Sequence, residues 1–406
     1  MASRPPANKT SGDEPRKKKS RKDILPGSTI KIPIPELRDS DKQDRLLAQK
    51  EAQQRLKLSA DTLPSILMYT ILNARESSNY AALCCTIAED SSMIAIGFSD
   101  SSVRVWPLTP QNLRQLRQAH ELEEIDKEAS DVMTRMWDST IAFERKTLHG
   151  HSGPVFGVSI SPDRLSLLSA SEDTTIRLWS LQTWTNVCCY RGHNHPVWDV
   201  RFSPHGYYFA SCSNDQTARL WATDNHQSLR IFADHLSDVD FVEFHPSSNS
   251  IATGSTDNHV RLWDVVDGSC MRTLKGHTGR ILTIAFSIDG RFLVTGGADC
   301  RILVWDHAFG HLLAELDSHK DTIYTLSFSR CGAMLVSGGL DDCINVFDVT
   351  KLLEALDIDE LSPSSAPTVY KNTQNLLLGA YRTKSTSILH LHFTRRNLLL
   401  AAGVFH

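Results

Sequence analysis

Short apolar stretches alternate with polar turns from about residue 82 to the end of the chain. The segment 155–190 shows the repeating unit, in which the stretches VFGVSI, LSLLSA, TIRLW and TNVCCY are separated by polar residues. Runs of this length that are rich in β-branched or aromatic residues predict strands, and Ser-Pro-Asp at 161–163 predicts a turn between the first two. Each unit is therefore predicted to form one four-stranded sheet, and the unit recurs along the chain.

Five of the units carry the same markers at a constant step of 42 residues. The histidines that open them are His151, His193, His235, His277 and His319. The aspartates that follow are Asp173, Asp215, Asp257, Asp299 and Asp341. The bulky aromatic residues after the aspartates are Trp179, Trp221, Trp263, Trp305 and Phe347. A period near 40 with Gly-His at one end and Trp-Asp at the other is typical of WD repeats, so we predict an all-β, seven-bladed WD-repeat β-propeller.

The same pattern divides the chain into three parts. Residues 1–25 are polar and basic, and they contain too few apolar residues to fold, so a disordered tail is expected. Residues 26–60 combine a proline-containing extended segment with a run of helix formers, which predicts a short helix before the propeller. The propeller is expected over 62–406, with inserts at 108–144 in the first blade and at 352–372 near the sixth.

The seventh blade is incomplete in the repeating pattern. ILHLHF and NLLLAAGVF supply two strands after the sixth blade, and no further strand follows them. The apolar segment SILMYTIL (65–72) lies just before the first blade and has no partner of its own. We expect this segment to close the ring as the outer strand of the seventh blade, because that leaves no open sheet edge there. The third strand of this blade has no candidate.

Composition narrows the classes of function. The chain is 41% hydrophobic and 22% charged with a formal net charge of −4, so it lacks the overall positive charge that attracts nucleic acid. No apolar run approaches the ~20 residues that span a bilayer, and no secretory signal opens the sequence. The nine cysteines include no CxxC pair, which argues against zinc and favours reduced thiols in an intracellular protein. We expect no cofactor, no metal and no small-molecule substrate.

The tail contains a short basic cluster that is typical of a nuclear-import signal or of a contact with nucleic acid. The alternative is a solvated tail without a specific partner. The cluster consists of Arg16, Lys17, Lys18, Lys19, Arg21 and Lys22.

Histidine, a hydroxyl and aspartate recur together in the repeats, as they would in a catalytic triad. The hydroxyl residues are Ser169, Ser211, Thr253, Thr295 and Ser337. Five copies at one spacing cannot all be active sites, so we interpret each set as a structural tetrad. In WD propellers these groups form a hydrogen-bond chain with the Trp indole N–H, and Phe347 cannot donate to it. No phosphate loop or other catalytic motif is present, so we predict that the chain is not an enzyme.

Two patterns in the first strands of the blades concern binding. The residue five positions after each repeat histidine varies, and strand alternation directs it toward the channel. We interpret these residues as a candidate partner-binding ring, with a simple channel plug as the alternative; they are Phe156, Trp198, Asp240, Leu282 and Tyr324. Separately, Trp198-Asp199-Val200-Arg201 resembles the W-D-x-R box of cullin-ligase substrate receptors, although it lies in a first strand and not at the end of a third strand.

Longer stretches of the chain resemble the family of subunit 5 of the general transcription factor TFIID. The similar segments include IPIPELRDSDKQDRLL, LPSILMYTILNA, EDSSMIAIGFSDSSVRVW, GHSGPVFGVSISPD, GHNHPVWDVRFSPHGYYFAS and LLLGAYRTKSTSILHLHFTRRNLLLAAG. They run from about residue 30 to the end and include loops, where unrelated propellers have no reason to agree. The helical amino-terminal half with a LisH motif that the family carries does not occur in this sequence.

The resemblance implies a non-catalytic scaffold in the nucleus. Members of the family bind histone-fold TBP-associated factors and help to build TFIID, which supports assembly of the RNA polymerase II preinitiation complex. Close relatives occupy the same position in SAGA-type histone acetyltransferase complexes, so that membership is an alternative. A substrate receptor of a ubiquitin ligase is a further alternative from a different class.

Overall fold

Four-stranded antiparallel sheets follow one another along the chain, as the repeating apolar stretches predict. The structure is a computed structural model, and it describes residues 39–71, 81–110, 112–123, 135–138, 142–355 and 369–405. All of these residues belong to one compact unit, Ile32–His406. The expected seven-bladed β-propeller is confirmed, because seven sheets are formed by the described residues. The basic tail lies outside the described residues.

The elements before the first blade are α1 (Asp39–Gln53) and β1 (Ile66–Ile71). The first blade contains β2 (Ala82–Ile87), β3 (Met93–Phe98) and β4 (Val103–Pro107), then the short helix α2 (Ala119–Glu123) and β5 (Lys146–Leu148). The second blade contains β6 (Val155–Ile160), β7 (Ser166–Ser171), β8 (Thr175–Ser180) and β9 (Asn186–Arg191). The third contains β10 (Val197–Phe202), β11 (Tyr208–Ser213), β12 (Thr217–Ala222) and β13 (Arg230–Ala233).

The fourth blade contains β14 (Val239–Phe244), β15 (Ser250–Ser255), β16 (His259–Asp264) and β17 (Cys270–Lys275). The fifth contains β18 (Ile281–Phe286), β19 (Phe292–Gly297), β20 (Arg301–Asp306) and β21 (Leu312–Asp317). The sixth contains β22 (Ile323–Phe328), β23 (Met334–Gly339) and β24 (Cys343–Asp348), then α3 (Val349–Ala355), α4 (Thr373–Leu376) and β25 (Leu377–Arg382). The seventh combines β26 (Thr386–Phe393) and β27 (Leu399–Phe405) with β1.

In the first six blades the first strand is the innermost, and the chain then moves outward through the second, third and fourth strands. Innermost strands of neighbouring blades contact one another, and β26 contacts β2 to close the ring. Buried apolar residues fall into seven clusters among the described residues, and each cluster lies between two neighbouring blades. The core is therefore a set of inter-blade layers, so each blade depends on its neighbours for burial.

The seventh blade differs from the expectation for segment 65–72. Strand β1 does join this blade, but it pairs directly with β27 as the third strand and runs parallel to it, from Ile66 opposite Leu399 to Ile71 opposite Val404. The prediction of an outer strand was therefore wrong by one position, and the missing third strand is β1 itself. Apolar residues alternate along β1, so one set packs toward the sixth blade and the other toward the first. No fourth strand of this blade occurs among the described residues.

Both inserts have described parts that pack on neighbouring blades. In the insert 108–144, Leu113 bridges to Phe143, and the Trp184 indole N–H donates to the Arg114 carbonyl oxygen at 3.0 Å. The second insert begins with α3, slightly before the expected position 352. Tyr370 then pairs with Ala314 on the outer strand of the fifth blade. None of the described helices is long and apolar enough to cross a lipid bilayer.

Candidate protein-binding face at the channel mouth

The second blade shows how the repeat markers are connected. The Nδ1 atom of His151 lies 2.9 Å from Asp173 Oδ2, and its Nε2 atom lies 2.7 Å from Ser169 Oγ. The Trp179 indole N–H donates to the same Oγ at 2.8 Å. Because a carboxylate only accepts and an indole only donates, the hydrogen bonds are donated in one direction: from Trp to Ser, from Ser to His and from His to Asp. The tetrad thus ties the loop before the first strand to the second and third strands.

The next three blades repeat this arrangement with His–Asp distances of 2.8–3.0 Å, and in each the indole N–H reaches the hydroxyl. In the sixth blade His319 contacts Asp341 at 2.9 Å and Ser337 at 2.6 Å, but Phe347 supplies no donor. The Asn345 amide lies 3.2 Å from His319 Nε2 and makes a contact that the other blades lack. The sequence did not indicate this asparagine.

The charge states of the tetrads follow from burial and hydrogen bonding. Burial alone would raise the pKa of Asp173, but the hydrogen bonds from His151 and Thr175 outweigh it and hold the pKa well below its usual range. Burial lowers the pKa of His193, against the opposing effect of Asp215. The hydroxyl Ser169 is fully buried, so a substrate cannot reach it even though its contacts are those of a triad. This geometry supports the structural interpretation of the tetrads.

The variable residues of the five marked repeats lie together at one end of the channel. Each is the second residue of an innermost strand, and all five line one cavity of about 790 Å³ that is bounded by all seven blades. Phe156 and Trp198 contact each other with ring centroids 4.8 Å apart. The strand registers place Leu83 of the first blade and Leu389 of the seventh in equivalent positions, and both line the cavity. Sequence analysis missed these two because their blades lack the histidine that marks the position.

Two of the polar groups at the mouth are the Asp240 carboxylate and the Trp198 indole nitrogen. Asp240 accepts a hydrogen bond from Thr256 Oγ1 at 2.8 Å, and burial raises its pKa while Thr256 and Arg280 oppose that shift. The Trp198 indole nitrogen is buried and has no hydrogen-bond partner among the described residues. Next to this rim, Leu236 in the loop that enters the fourth blade is 81% exposed. A buried donor without a partner is costly, so the mouth is suited to a ligand that supplies an acceptor.

Deeper in the channel lies a charged group that the sequence did not identify as a site. Arg201 Nε donates to Asp199 Oδ2 at 3.2 Å and lies 3.9 Å from Glu243, with its guanidinium carbon 4.9 Å from the centre of the Phe241 ring. Burial raises the pKa of Glu243 to about 7 despite Arg201. On the opposite side, burial lowers the pKa of His392 to about 3. The arginine of the W-D-x-R sequence therefore sits inside the channel, bound by carboxylates of its own chain.

Three further predictions concern the basic cluster, the cysteines and metal ligands. The basic cluster at 16–22 lies outside the described residues. All nine cysteines are free thiols. No group of three or more potential metal ligands occurs in the part of the chain that the structure describes.

Comparison with known proteins agrees with the architecture. The family model described as "WD domain, G-beta repeat" matches residues 143–180, 184–222, 226–264, 268–306 and 310–348. Each match runs from the fourth strand of one blade through the third strand of the next, and together they cover the blades that contain tetrads. The seventh blade and the first three strands of the first blade are outside the matches.

Among curated proteins, the chain is 49% identical over 173 residues to "Transcription initiation factor TFIID subunit 5" of Drosophila melanogaster, which covers 43% of this chain and 24% of the relative. It is 39% identical over 160 residues to "SAGA complex/transcription factor TFIID complex subunit Taf5" of Schizosaccharomyces pombe, covering 39% and 22%. It is 37% identical over 143 residues to a human TAF5-like 65 kDa subunit 5L, covering 35% and 23%. The matched region spans about a quarter of the length of these relatives. The repeat region of this chain is therefore a WD-repeat propeller homologous to the WD-repeat region of TFIID subunit 5.

Proposed function

We propose that this chain is a non-catalytic scaffold subunit of a nuclear transcription complex of the TFIID type. In this role it binds histone-fold TBP-associated factors and supports assembly of the RNA polymerase II preinitiation complex. The relatives named above are subunits of such complexes, which supports the assignment. The observation that carries the binding role is the ring of variable residues at the channel mouth, because it gathers aromatic, aliphatic and acidic groups in one recess.

The chemistry of the mouth defines what a partner must offer. Trp198 and Phe156 form an aromatic surface of the kind that dominates binding energy at interfaces. The free Trp198 N–H requires an acceptor, such as a backbone carbonyl of the partner. Asp240 has one oxygen occupied by Thr256, so a partner donor can use the other. A protruding loop or helix end with an apolar tip satisfies these conditions, and the exposed Leu236 extends the apolar contact beyond the rim.

The insert 108–144 is a second proposed contact. Its described part is anchored to the second blade, where the Leu116 N–H donates to the Gln182 carbonyl oxygen at 3.0 Å. Long inserts in compact domains are often functional.

Specific observations bear on three alternative functions. A SAGA-type complex is a second candidate, because the name of the fission-yeast relative joins SAGA with TFIID. A ubiquitin-ligase receptor is disfavoured because Arg201 is held by Asp199 inside the channel, where a ligase adaptor cannot reach it. Catalysis by the tetrads is disfavoured because their hydroxyls are buried.

The test is affinity purification of the tagged full chain from nuclei, followed by mass spectrometry. We expect TBP-associated factors with histone folds among the partners. Trp198→Ala should reduce their recovery at least about tenfold, since a central aromatic contact contributes 2 kcal/mol or more. Ile231→Ala, at an exposed position on the outer strand β13, is the matched control and should leave recovery unchanged. Recovery of a cullin adaptor, or of no TBP-associated factor, contradicts the proposal.

Nuclear localisation is tested separately through the basic cluster. Replacing Lys17, Lys18 and Lys19 with alanine in the full chain should shift a fluorescent fusion from nucleus to cytosol, because the import receptor binds the positive charges. Replacing Arg4 and Lys9, which lie outside the cluster, is the control. Unchanged nuclear signal in the triple variant assigns the cluster no role in import.

A further inference from the structure

The seventh blade has three strands among the described residues, whereas the other six have four. Its third strand, β1, pairs with β27 on one side, and its other side faces the rim of the disc. The sequence of β1, ILMYTI, contains no charge and no proline. Proteins normally protect an unpaired strand edge with charges, prolines or a covering element. An unprotected edge of this kind therefore indicates a strand that is covered in the working protein.

The outermost strands of the other blades show what such protection looks like. Each of the six fourth strands contains at least one charged residue; these are Lys146, Arg191, Arg230, Arg272, Lys275, Glu315, Asp317 and Arg382. Strand β1 has the composition of an inner strand, although it lies at the outer edge of the three described strands of its blade. This difference separates the edge of the seventh blade from the edges of the complete blades.

The complete blades also indicate which side chain would fill the position. In the second blade Ile176 on the third strand lies opposite Tyr190 on the fourth, and both are buried. The other five blades place these pairs at the same position: Val103 with Leu148, Ala218 with Phe232, Val260 with Leu274, Ile302 with Leu316, and Ile344 with Tyr381. The third-strand residue is at most 1% exposed in all six. A bulky apolar or aromatic residue on the fourth strand therefore covers each of them.

The equivalent residue of the seventh blade is Tyr69. Tyr69 pairs with Ala402 on the second strand, and Ile344 of the sixth blade pairs in the same way with Gly338. Ala402 and Gly338 occupy equivalent positions, because each directly follows a bulge in the pairing between the second strand and the innermost strand. Tyr69 is only half-buried, and Leu67 on the same side of the sheet is 45% exposed. Within the described ranges, the seventh blade thus has no apolar side chain of the kind that a fourth strand would place here.

The described residues that follow β1 provide no fourth strand for this blade. Ten residues separate Ile71 from Ala82, the start of the first blade, whereas sixteen residues separate the third strand of the second blade from Val197. The sixteen contain a turn, a six-residue strand and a return loop. The connection after β1 is therefore six residues shorter than this connection, which holds a fourth strand. The chain just before β1 is also committed, because Arg55 donates to the carbonyl oxygens of Arg330 and Arg395 at the end of the blade.

We propose that the edge of β1 accepts an extended segment of a partner polypeptide as the fourth strand of the seventh blade, with a bulky apolar side chain opposite Tyr69. This inference rests on the proposed function, since it requires a partner that is bound elsewhere in the same complex. A six-residue strand is roughly 20 Å long, and the area it buries is well below the ~1,200 Å² of a stable interface. Such a contact is too small to hold a dimer of this chain alone. A segment tethered to a subunit that is already bound gains the effective concentration that it needs.

The experiment uses a photo-crosslinking amino acid in the full chain, within complexes purified from nuclei. One variant carries it at Thr70, which is exposed on β1, and the control carries it at Val187, which is 62% exposed on the outer strand of a complete blade. We expect Thr70 to crosslink to an extended segment of another subunit that has a bulky apolar residue near the attachment point. Val187 should give no such product.

Two further measurements make the result independent of the crosslinker. Hydrogen exchange of the amides of 66–71 should be at least about tenfold slower in the complex than in the isolated chain, as new strand pairing protects amides. Leu67→Lys should abolish both the crosslink at Thr70 and this protection, whereas Val187→Lys should change neither. Both substitutions replace exposed apolar residues, so a general loss of folding is controlled.

The outcomes separate the two proposals. Crosslinks from Thr70 only to residues 1–38 of the same chain, or only to a second copy, overturn the assignment to a partner. Co-purified subunits without a crosslink or protection overturn the strand inference and leave the proposed function intact. If no other subunit co-purifies, the proposed function and the inference both fail.

Discussion

Ser169→Ala and Ser337→Ala remove the same hydroxyl from two tetrads that differ in one residue. In the second blade Ser169 Oγ accepts from the Trp179 indole N–H at 2.8 Å and contacts His151 Nε2 at 2.7 Å. In the sixth blade the tryptophan is replaced by Phe347, which makes no hydrogen bond. The same substitution should therefore cost more free energy of unfolding in the second blade than in the sixth.

The magnitude follows from the groups left without partners. Ser169→Ala leaves the indole donor and the His151 acceptor unsatisfied and buried, at about 1–3 kcal/mol each, so a loss of roughly 3 kcal/mol is expected. Ser337→Ala leaves only His319 Nε2, which keeps the Asn345 amide 3.2 Å away. The expected loss there is about 1 kcal/mol. Both serines are fully buried, so the change in side-chain volume and exposure is matched.

The assay is urea unfolding of the purified full chain, followed by tryptophan fluorescence and by circular dichroism. The two probes must give the same transition if a single free energy is to be compared. We expect the midpoint to fall further for Ser169→Ala, with an unchanged slope. Asn345→Ala added to Ser337→Ala should narrow the difference between the blades, because His319 Nε2 then has no partner. Equal losses for the two single variants, or a larger loss in the sixth blade, would refute the reasoning from donor and acceptor counts.

Three further predictions concern stability. Asp257→Ala removes the acceptor of His235 and should lower the free energy of unfolding by roughly 3–5 kcal/mol in urea unfolding. Partner binding should be lost in proportion, and intact stability with a selective loss of one activity would contradict a structural role. Burial lowers the pKa values of His193 and His235, so the folded state binds fewer protons than the unfolded state, and the free energy of unfolding should fall as pH drops below 6.5. The pKa values of the tetrad aspartates are also lowered, which should add a further fall below about pH 3.8. A urea midpoint that stays constant from pH 7 to 5 would contradict the prediction for the histidines. Gly157→Ala should cost about 1–3 kcal/mol in the same assay, because a methyl group would lie 2.8 Å from Asp199 Cα on the neighbouring blade; an unchanged midpoint would show that the strands can separate.

The fold was predictable because the repeat fixes both strand number and blade number. Five sets of markers at one spacing predict five blades, and the flanking apolar stretches add two more. The position of β1 was not predictable from the same pattern. Its sequence indicates a strand with alternating apolar faces, and such a strand fits the third or the fourth position of a blade. Pairing with β27 is decided by burial on both faces, because Met68 packs toward the sixth blade and Tyr69 toward the first.

The channel mouth was predictable only where a histidine marks the register. Counting five residues from each marker finds Trp198 and Asp240, but it cannot find Leu83 or Leu389 in unmarked blades. The group around Arg201 was missed for a different reason. Arg201 and one of its acidic partners, Glu243, come from neighbouring blades, and an ion pair between residues that lie 42 positions apart cannot be predicted without knowledge of the closed ring.

The alternation of the innermost strands separates stability from binding. Val155 and Val197 are the first residues of their strands and are fully buried between blades, whereas the following residues, Phe156 and Trp198, face the channel. Phe156 lies outside the neighbouring inter-blade layer, whereas Trp198 also packs against the layer between the third and fourth blades. The repeat can therefore keep a buried residue at the first position of each of these strands, while the next position carries an aromatic, an acidic or an aliphatic residue. Val or Ile is thus kept at the first position of these strands, while the second position, which defines the surface, varies from blade to blade.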